Sequence, residues 1–372
     1  MDPNHDPDQH SQLDADPDAV SAGPIPPRGL PFPPPQRIVI EQPGGAVLRV
    51  VRWLGWAGLL ICIPIIVGQT MAYSSYFDTT GNIIERHHSL NKVAVNKVAI
   101  IDLSGTIVSG DGFVKRQIDR IRQDKNVKAV ILRVNSPGGT ITGSDYIYHH
   151  LKKLKEDRRI PLVVSMGSMA ASGGYYVAMA VGDQEDCIFA EPTTATGSIG
   201  VIIPHYDLSG LLAKHDIKND SISSHPRKQM LSMTKPMSDE DRQIVQGYVD
   251  ESFNRFKEII KQGRPMFRDD DAALEQLATG QVFMALQAKE NRLIDKIGFI
   301  EDAIERAIEL AGLKPENARV IGYKRPPSVW DIASLAHAKS QGFDLSTLLD
   351  LTVPRAYYMC TWATPMTTTA QP

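Results

Sequence analysis

The sequence predicts an α/β domain around a largely parallel β-sheet, preceded by one transmembrane helix and a disordered N-terminal tail. Three observations support this fold class. Apolar, β-branched runs alternate with segments of helical periodicity between residues 93 and 315. A long uncharged stretch precedes them, and the first 37 residues are rich in proline. Strands that alternate with helices form βαβ units, which place parallel strands side by side in one sheet.

The predicted tail covers residues 1–37. It contains ten of the chain's 25 prolines, and the dipeptide Asp-Pro recurs in it. A segment of this composition buries too little apolar surface to offset the entropy lost on ordering. We therefore expect the tail to be disordered.

Residues 53–73 are the predicted transmembrane signal-anchor helix. No charged residue occurs between Trp53 and Phe77, and about 20 apolar residues are enough for a helix to span a bilayer. The first basic residue after the span is Arg86. Four arginines precede it: Arg28, Arg37, Arg49 and Arg52. Because basic residues favour the cytoplasmic side, we expect a cytoplasmic N-terminus and an extracytoplasmic domain.

The domain over 93–315 is expected to alternate strands and helices. Buried strands are expected at KVAIIDLSGTIV, VKAVILRVN, PLVVSM, DCIFAEP and IGVII. Helices are expected where apolar residues recur at helical spacing, as at Val114, Ile118 and Ile121 and again at Ile147, Leu151 and Leu154. A long helix is expected to begin after Ser238, a favourable N-cap, and a last one over Ile300–Ala311. Residues 316–372 form a C-terminal extension.

One serine, Ser172, lies among small residues in MGSMAASGGYYVAMA. Small neighbours leave its hydroxyl approachable, and the N–H of Gly173 is adjacent. The segment NSPGG, Asn135–Gly139, ends a neighbouring predicted strand, and ligands of such sheets bind at the carboxyl ends of the strands. A nucleophilic serine needs N–H donors for the developing oxyanion, which these glycines could present. The alternative is a tight strand-to-helix turn in a packed core.

The residues alone do not identify the general base that would activate Ser172. The G-x-S-x-G pattern of many hydrolases is not formed around it. Three histidines are available, none in a distinctive motif: His205, His215 and His225. A lysine can also serve if burial lowers its pKa toward neutrality, and the candidates are Lys228 and Lys235.

Three segments together resemble the signal peptide peptidase A family of serine peptidases: NSPGGTITGSDYIYHHLKKLK, VVSMGSMAASGGYYVAMA and TATGSIGVI. The resemblance is colinear over residues 95–312. It implies the Clp-protease/crotonase-like fold, with repeated ββα units, and a catalytic Ser–Lys dyad. Its nucleophile corresponds to Ser172 and its lysine to Lys228, since Lys235 lies too close to the start of the following helix.

The same resemblance implies Gly138 and Gly173 as oxyanion-hole donors. Ser198, in TGSIG, is a candidate to orient the lysine, or else an ordinary turn serine. Only one copy of the fold is present, which resembles the short form of the family. In that form the serine and lysine come from neighbouring subunits of a homo-oligomeric ring.

The function implied is that of a membrane-anchored serine endopeptidase that degrades cleaved signal peptides and other hydrophobic peptides. The implied location is the bacterial inner membrane, with a single span and the catalytic domain in the periplasm. Whether Cys187 and Cys360 pair there is left open. The alternatives are a crotonase-like acyl-CoA enzyme, which needs an oxyanion hole but no nucleophile, and a non-catalytic membrane scaffold.

No cofactor, metal ion or nucleic acid is expected. Cysteine and histidine spacings typical of zinc sites do not occur in the sequence. The formal net charge is −3, with acidic and basic residues nearly balanced, which gives no indication of a nucleic-acid partner.

Overall fold

The computed structural model describes residues 45–77, 83–325 and 356–359 of the 372-residue chain. The tail predicted over 1–37, Cys360 and most of the extension predicted over 316–372 lie outside the described residues. The chain divides into two compact units, Met1–Val67 and Gly68–Pro372.

The first described element is an apolar helix, α1, Gly45–Phe77. Its segment Val47–Thr70 has the length and composition to cross a membrane, and its side chains are exposed. The helix begins before the predicted start at Trp53, so Arg49 and Arg52 lie inside its first turns. Long basic side chains can cover apolar surface with their stems while the charged ends reach water, which lets the helix continue through both arginines.

Most of the remaining helices are short, and two are long, with 18 and 25 residues. Their bounds are α2 Phe113–Gln123, α3 Ile141–Arg158, α4 Gly173–Ala178, α5 Ser209–Lys214, α6 Asp239–Gly263, α7 Asp271–Leu277, α8 Ala285–Glu290 and α9 Ile300–Leu310. The helices predicted at α2, α3, α6 and α9 are confirmed. Ser238 caps α6 as expected, because its hydroxyl oxygen accepts from the Asp241 N–H at 3.1 Å.

Eleven strands are present among the described residues. They are β1 Ile84–Leu90, β2 Asn96–Ser104, β3 Val127–Ser136, β4 Gly138–Thr140, β5 Leu162–Ala171, β6 Ile188–Ala190, β7 Ala195–Gly197, β8 Val282–Met284, β9 Lys296–Ile297, β10 Ala318–Lys324 and β11 Tyr357–Met359. The main sheet has the order β1-β10-β2-β3-β5-β6-β9, and β7 pairs with β5 and β8. A separate two-stranded sheet joins β11 to β4.

The main sheet is parallel from β10 through β2, β3, β5 and β6 to β9, which confirms the predicted class. Its central strands are continuous apolar runs with fully buried side chains such as Ile101, Ile131 and Val163. Parallel strands covered on both faces carry this pattern. The carboxyl ends of β3 and β5 meet at the same edge of the sheet, and β3 leads there into the SPGG segment.

The strand predicted at IGVII is wrong. The strand in this region is β7, which precedes that run, and beyond it only Ile202 forms an isolated bridge, to Tyr357. Ser198 ends β7 because it has a φ of 52°, in the left-handed region that strands do not use. Its N–H donates to the Gln281 carbonyl at 2.7 Å, the last bond of the β7–β8 pairing before the chain turns away.

Candidate active site

Ser172 lies at the turn where β5 ends and α4 begins. Its φ of 53° and ψ of −114° are unusual for a residue with a side chain. Such a backbone is kept only where the surroundings fix it, and here both ends of the residue are held. The Ser172 N–H donates to the Gly197 carbonyl at 2.7 Å, and its carbonyl accepts from the Tyr176 N–H at 2.8 Å. A strained strand-to-helix turn that presents a serine is the geometry of a nucleophile elbow.

The hydroxyl of Ser172 is buried and has no partner. The residue is 1% exposed, and its Oγ makes no hydrogen bond to any described residue. Leaving a buried hydroxyl unpaired costs about 1–3 kcal/mol, so the position is unfavourable for stability alone. The hydroxyl is therefore free to bond to a group that is not among the described residues.

Gly138 and Gly173 meet directly beside this serine. Gly138 has a φ of +98°, and a methyl group placed on it would lie 2.7 Å from the Gly173 nitrogen. A methyl group on Gly173 would lie 2.4 Å from the Ser144 Oγ. Both contacts are too short for a real side chain, so the close approach of the two backbones requires glycine at both positions.

The two glycine amides differ in what they are free to bind. The N–H of Gly173 belongs to the first turn of α4, whose first N–H groups have no partner inside the helix. The N–H of Gly138 donates to the Ser136 Oγ at 3.1 Å. To bind an oxyanion, Gly138 must therefore exchange that hydrogen bond, whereas Gly173 need not.

Ser198 lies next to the same turn. It directly follows Gly197, whose carbonyl holds the Ser172 N–H and which pairs with Ala171 across β5 and β7. Ser198 is 6% exposed, and its hydroxyl makes no hydrogen bond to a described residue. The structure thus places the predicted lysine-orienting serine beside the predicted nucleophile.

Lys228 is not brought to Ser172 within one chain. It lies on a single helical turn, Pro226–Gln229, where its side chain is exposed. Its amine makes no hydrogen bond or ion pair with a described residue. Lys235 is also exposed and donates to the Pro226 carbonyl at 3.4 Å.

The three candidate histidines do not reach Ser172 either. His205 contacts the Ser232 carbonyl at 3.3 Å, and His225 accepts from the Arg227 N–H at 3.2 Å. His215 is exposed at the end of α5. The described part of one chain therefore holds Ser172 and two glycine amides together, without a candidate base hydrogen-bonded to Ser172. No group of three or more His, Cys, Asp or Glu in that part could hold a metal ion.

An apolar cavity of about 790 Å³ opens beside β4. Its walls come from α3, α6 and the segment that carries Lys228. Among its lining residues are Tyr146, Ile203, Met230, Ile244, Tyr248 and Ala356. These residues are far apart in the sequence and are brought together only by the tertiary fold.

The strand β11 was also missed. It lies antiparallel on β4, with Tyr358 opposite Gly139 and Met359 opposite Gly138. A three-residue strand that pairs with a segment more than 200 residues away leaves no periodic signal in the sequence. It places a stretch of the chain's own backbone directly against the candidate site.

Two sequence profiles match the chain. Peptidase family S49 matches residues 154–314, and Clp protease matches residues 90–196. Both matched ranges contain Ser172, and the first also contains Ser198 and Lys228.

Several proteins are similar to the same region. A protein of Enterococcus faecium named as a signal peptide peptidase is 39% identical over 212 residues, which are 56% of this chain and 58% of that protein. A protein of Synechocystis named as a protease is 35% identical over 224 residues, 60% of this chain and 78% of that protein. Protease 4 of Haemophilus influenzae is 32% identical over 231 residues, 60% of this chain and 36% of that protein. The chain therefore spans little more than half of the first of these relatives and about a third of the last.

Proposed function

The chain belongs to peptidase family S49, and from this membership we propose that it is a membrane-anchored serine endopeptidase that cleaves hydrophobic peptides such as released signal peptides. The observation that carries the proposal is Ser172, which is buried, unpartnered and held on a strained turn beside two glycine amides. The helix α1 supports the anchor, and the arginines before its apolar part support a cytoplasmic N-terminus in a bacterial inner membrane.

In the proposed mechanism the Ser172 Oγ attacks the carbonyl carbon of the scissile peptide bond. A neutral lysine amine takes the hydroxyl proton and delivers it to the nitrogen of the leaving amine. The N–H groups of Gly173 and Gly138 bind the oxyanion of the tetrahedral intermediate. A water molecule, activated by the same lysine, then hydrolyses the ester on Ser172 and restores the free serine.

We assign the base to Lys228 of a neighbouring subunit. Within one chain Lys228 is exposed while the Ser172 hydroxyl lacks a partner, which is the pattern expected when assembly completes the site. A free lysine has a pKa near 10.4, so burial in the interface has to lower it by several units. We assign the orientation of the incoming amine to the hydroxyl of Ser198, because this residue directly follows Gly197, whose carbonyl accepts from the Ser172 N–H.

The choice of hydrophobic peptides rests on the cavity beside β4. Its aromatic and aliphatic lining suits apolar side chains. The edge of β4 that pairs with β11 can bind an extended strand through backbone N–H and carbonyl groups, a mode of recognition in which pockets select alternate side chains. The similarity to a protein named as a signal peptide peptidase agrees with this class of substrate.

The alternatives explain less of the geometry. An acyl-CoA enzyme of the crotonase type would use the two glycine amides but would leave the strained turn at Ser172 without a role. A membrane scaffold would need neither the turn nor the unpaired buried hydroxyl.

Labelling with a fluorophosphonate probe tests the proposal. The purified full-length chain in detergent should react at Ser172, as located by mass spectrometry of the labelled peptide, and Ser172→Ala should not react. The same protein should hydrolyse a leucine- and alanine-rich quenched fluorescent peptide in preference to a charged one. Labelling absent from the folded, assembled protein, or confined to another serine, would overturn the assignment.

A further inference from the structure

A second pocket, with a volume of about 450 Å³, lies at the far end of the helical segment that follows Ser172. This segment consists of α4 and the turn Met179–Val181 that continues it. At about 1.5 Å per residue, its nine residues extend for roughly 13 Å. The pocket is therefore separate from the candidate active site, and an inference about it goes beyond the proposed function.

Three parts of the chain form the walls of this pocket, which we call the basic pocket. The helix α3 contributes one wall, residues 179–183 a second, and Gln262 with Arg268 the third. Four cationic and two anionic side chains are among the lining residues: Lys152, Lys155, Arg159, Arg268, Glu156 and Asp183. The basic pocket thus has an excess of two positive charges at neutral pH.

Most of the positive charge in the basic pocket is not neutralised by an ion pair. Arg268 is paired with Asp183. The other three cations form no ion pair with a described residue, and the two lysines donate to uncharged oxygens instead. Glu156 also lines the pocket without an ion pair to a described residue. A concave surface lined by an excess of one charge attracts ligands of the opposite charge, here anions.

The ammonium group of Lys155 is half-buried in the basic pocket. Its Nζ donates to the Val181 carbonyl, and a methyl group placed on Gly182 would lie 3.2 Å from that nitrogen. Burial lowers the pKa of Lys155, and the nearby carboxylates of Asp183 and Glu156 offset this effect only in part. An ammonium group has three N–H donors, so two remain for a ligand after the bond to Val181. A bound anion would therefore stabilise the charged form of this lysine.

The third wall adds an uncharged donor to these cations. The Gln262 Oε1 accepts from the Tyr148 hydroxyl at 2.7 Å and from the Lys152 Nζ at 3.1 Å. These two bonds hold the amide and the lysine in place, while the NH2 group of Gln262 makes no hydrogen bond to a described residue. The pocket therefore presents N–H donors from both α3 and α6 before any ligand binds.

A phosphate group matches the charge and the donors of the basic pocket. In a phosphate ester it has a charge of about −1.5 to −2 at pH 7 and three strong acceptor oxygens. The buried residues Met179 and Ala180 line the same pocket and leave an apolar wall for the group that the phosphate is attached to. We propose that the basic pocket binds a phosphate group through Lys152, Lys155 and Arg159. A free phosphate and the headgroup of an anionic phospholipid share this chemistry.

Isothermal titration calorimetry of the full-length chain in detergent tests the proposal and separates the two sources. The probes are inorganic phosphate and dioctanoylphosphatidylglycerol, at an ionic strength held constant with sodium chloride because salt screens such contacts. Dioctanoylglycerol, which lacks the phosphate, is the control for the acyl chains and should not bind. Saturable binding of either probe supports the proposal, and the probe with the lower Kd identifies the source of the phosphate.

Substitutions within α3 locate the bound phosphate. Lys155→Met and Arg159→Gln should each weaken the Kd by about tenfold, the effect of losing one hydrogen bond to a charged group. Arg159→Gln reports on binding even where Lys155→Met is unstable, because the Arg159 side chain makes no hydrogen bond to a described residue. Glu156→Gln should tighten the Kd, because it removes a carboxylate from the pocket.

Lys153→Met is the matched control, since it removes a lysine from the same helix at an exposed position that does not line the pocket. It should leave the Kd within about threefold. The titration contains no peptide substrate, so its result is independent of peptidase activity. Binding of neither probe, or Kd values for Arg159→Gln that equal those for Lys153→Met, would overturn the inference and leave the proposed function untouched.

Discussion

At the scale of single residues, the candidate site depends on three backbone positions that other residues could not occupy in the same way. Ser172 holds a φ of 53°, Gly138 a φ of +98°, and Gly173 approaches the Ser144 hydroxyl too closely for a side chain. Strain of this kind costs about 1–3 kcal/mol at Ser172, whereas glycine adopts its positions without that cost. A chain keeps such conformations together when they serve the chemistry of one site.

Gly138→Ala should reduce the stability of the domain by about 1–3 kcal/mol and abolish peptide hydrolysis. The added methyl group would meet the Tyr358 carbonyl and the Gly173 nitrogen, and alanine resists the positive φ. Chemical denaturation and a peptide assay measure the two effects. Gly247→Ala is the control: its methyl group meets nothing within 4 Å, and alanine favours the interior of α6. Full activity in Gly138→Ala would remove this amide from the mechanism.

Lys228→Arg should be inactive in a folded and assembled protein. Arginine keeps the length and charge of the side chain but cannot lose its proton, so it cannot act as a general base. Lys235→Ala should retain most of the activity, because Lys235 has no assigned role. Turnover numbers with a leucine-rich peptide compare the variants. Substantial turnover by Lys228→Arg would exclude Lys228 as the general base and favour one of the three candidate histidines, His205, His215 or His225.

At the scale of elements, the helix α3 carries a half-buried imidazole, His150, that couples folding to pH. Burial, and then the nearby charges of Lys115, His149 and Arg122, lower the pKa of His150 to about 4, while Asp119 opposes this shift. Its Nδ1 is buried without a partner among the described residues. The unfolded chain binds a proton there near the ordinary pKa of 6.5, whereas the folded protein does so only near pH 4.

The contribution of His150 to stability should therefore be complete above pH 6.5 and fall as the pH is lowered from 6.5 toward 4. His150→Gln should flatten this part of the profile, as measured by thermal unfolding across the pH range. His149→Gln, at the exposed neighbouring position, should keep the slope. A profile in His150→Gln as steep as in the unaltered protein would contradict the assignment of the shift.

Some elements can be recognised from their own local sequence, whereas others depend on residues far away in the chain. The strands β2, β3 and β5 are recognisable because each is a continuous apolar run, and α6 because Ser238 caps it and acidic residues follow. The end of β7 at Ser198 was not predictable, because a positive φ at serine reflects contacts made by Gln281. The strand β11 depends on β4 and Ile202 for its pairing, so its local sequence contains no evidence of it.

At the scale of the whole molecule, the fold brings some of the predicted site residues together and leaves another apart, which the sequence alone did not indicate. Ser172, Gly138, Gly173 and Ser198 meet through the fold of one chain. Lys228 is exposed in that same chain, and no pattern in a single sequence encodes a contact between subunits. The apolar cavity beside β4 is likewise a product of tertiary packing.

The position of the chain relative to the membrane can be tested with reporters. An enzyme reporter that is active only outside the cytoplasm should be active when fused after Pro315 and inactive when fused after Gly29. The arginines before the apolar segment of α1 favour retention of the N-terminus in the cytoplasm. The reverse pattern of activity would refute this topology.

The shared Ser–Lys site is the central claim, and complementation between two inactive variants tests it most directly. Ser172→Ala and Lys228→Ala should each be inactive alone, while co-assembled equal amounts should recover about a quarter of the unaltered activity, because one in four head-to-tail interfaces then joins an intact serine to an intact lysine. Peptide hydrolysis is measured on oligomers shown by mass spectrometry to contain both variants. Absence of activity in such verified mixed oligomers would contradict a site shared between subunits.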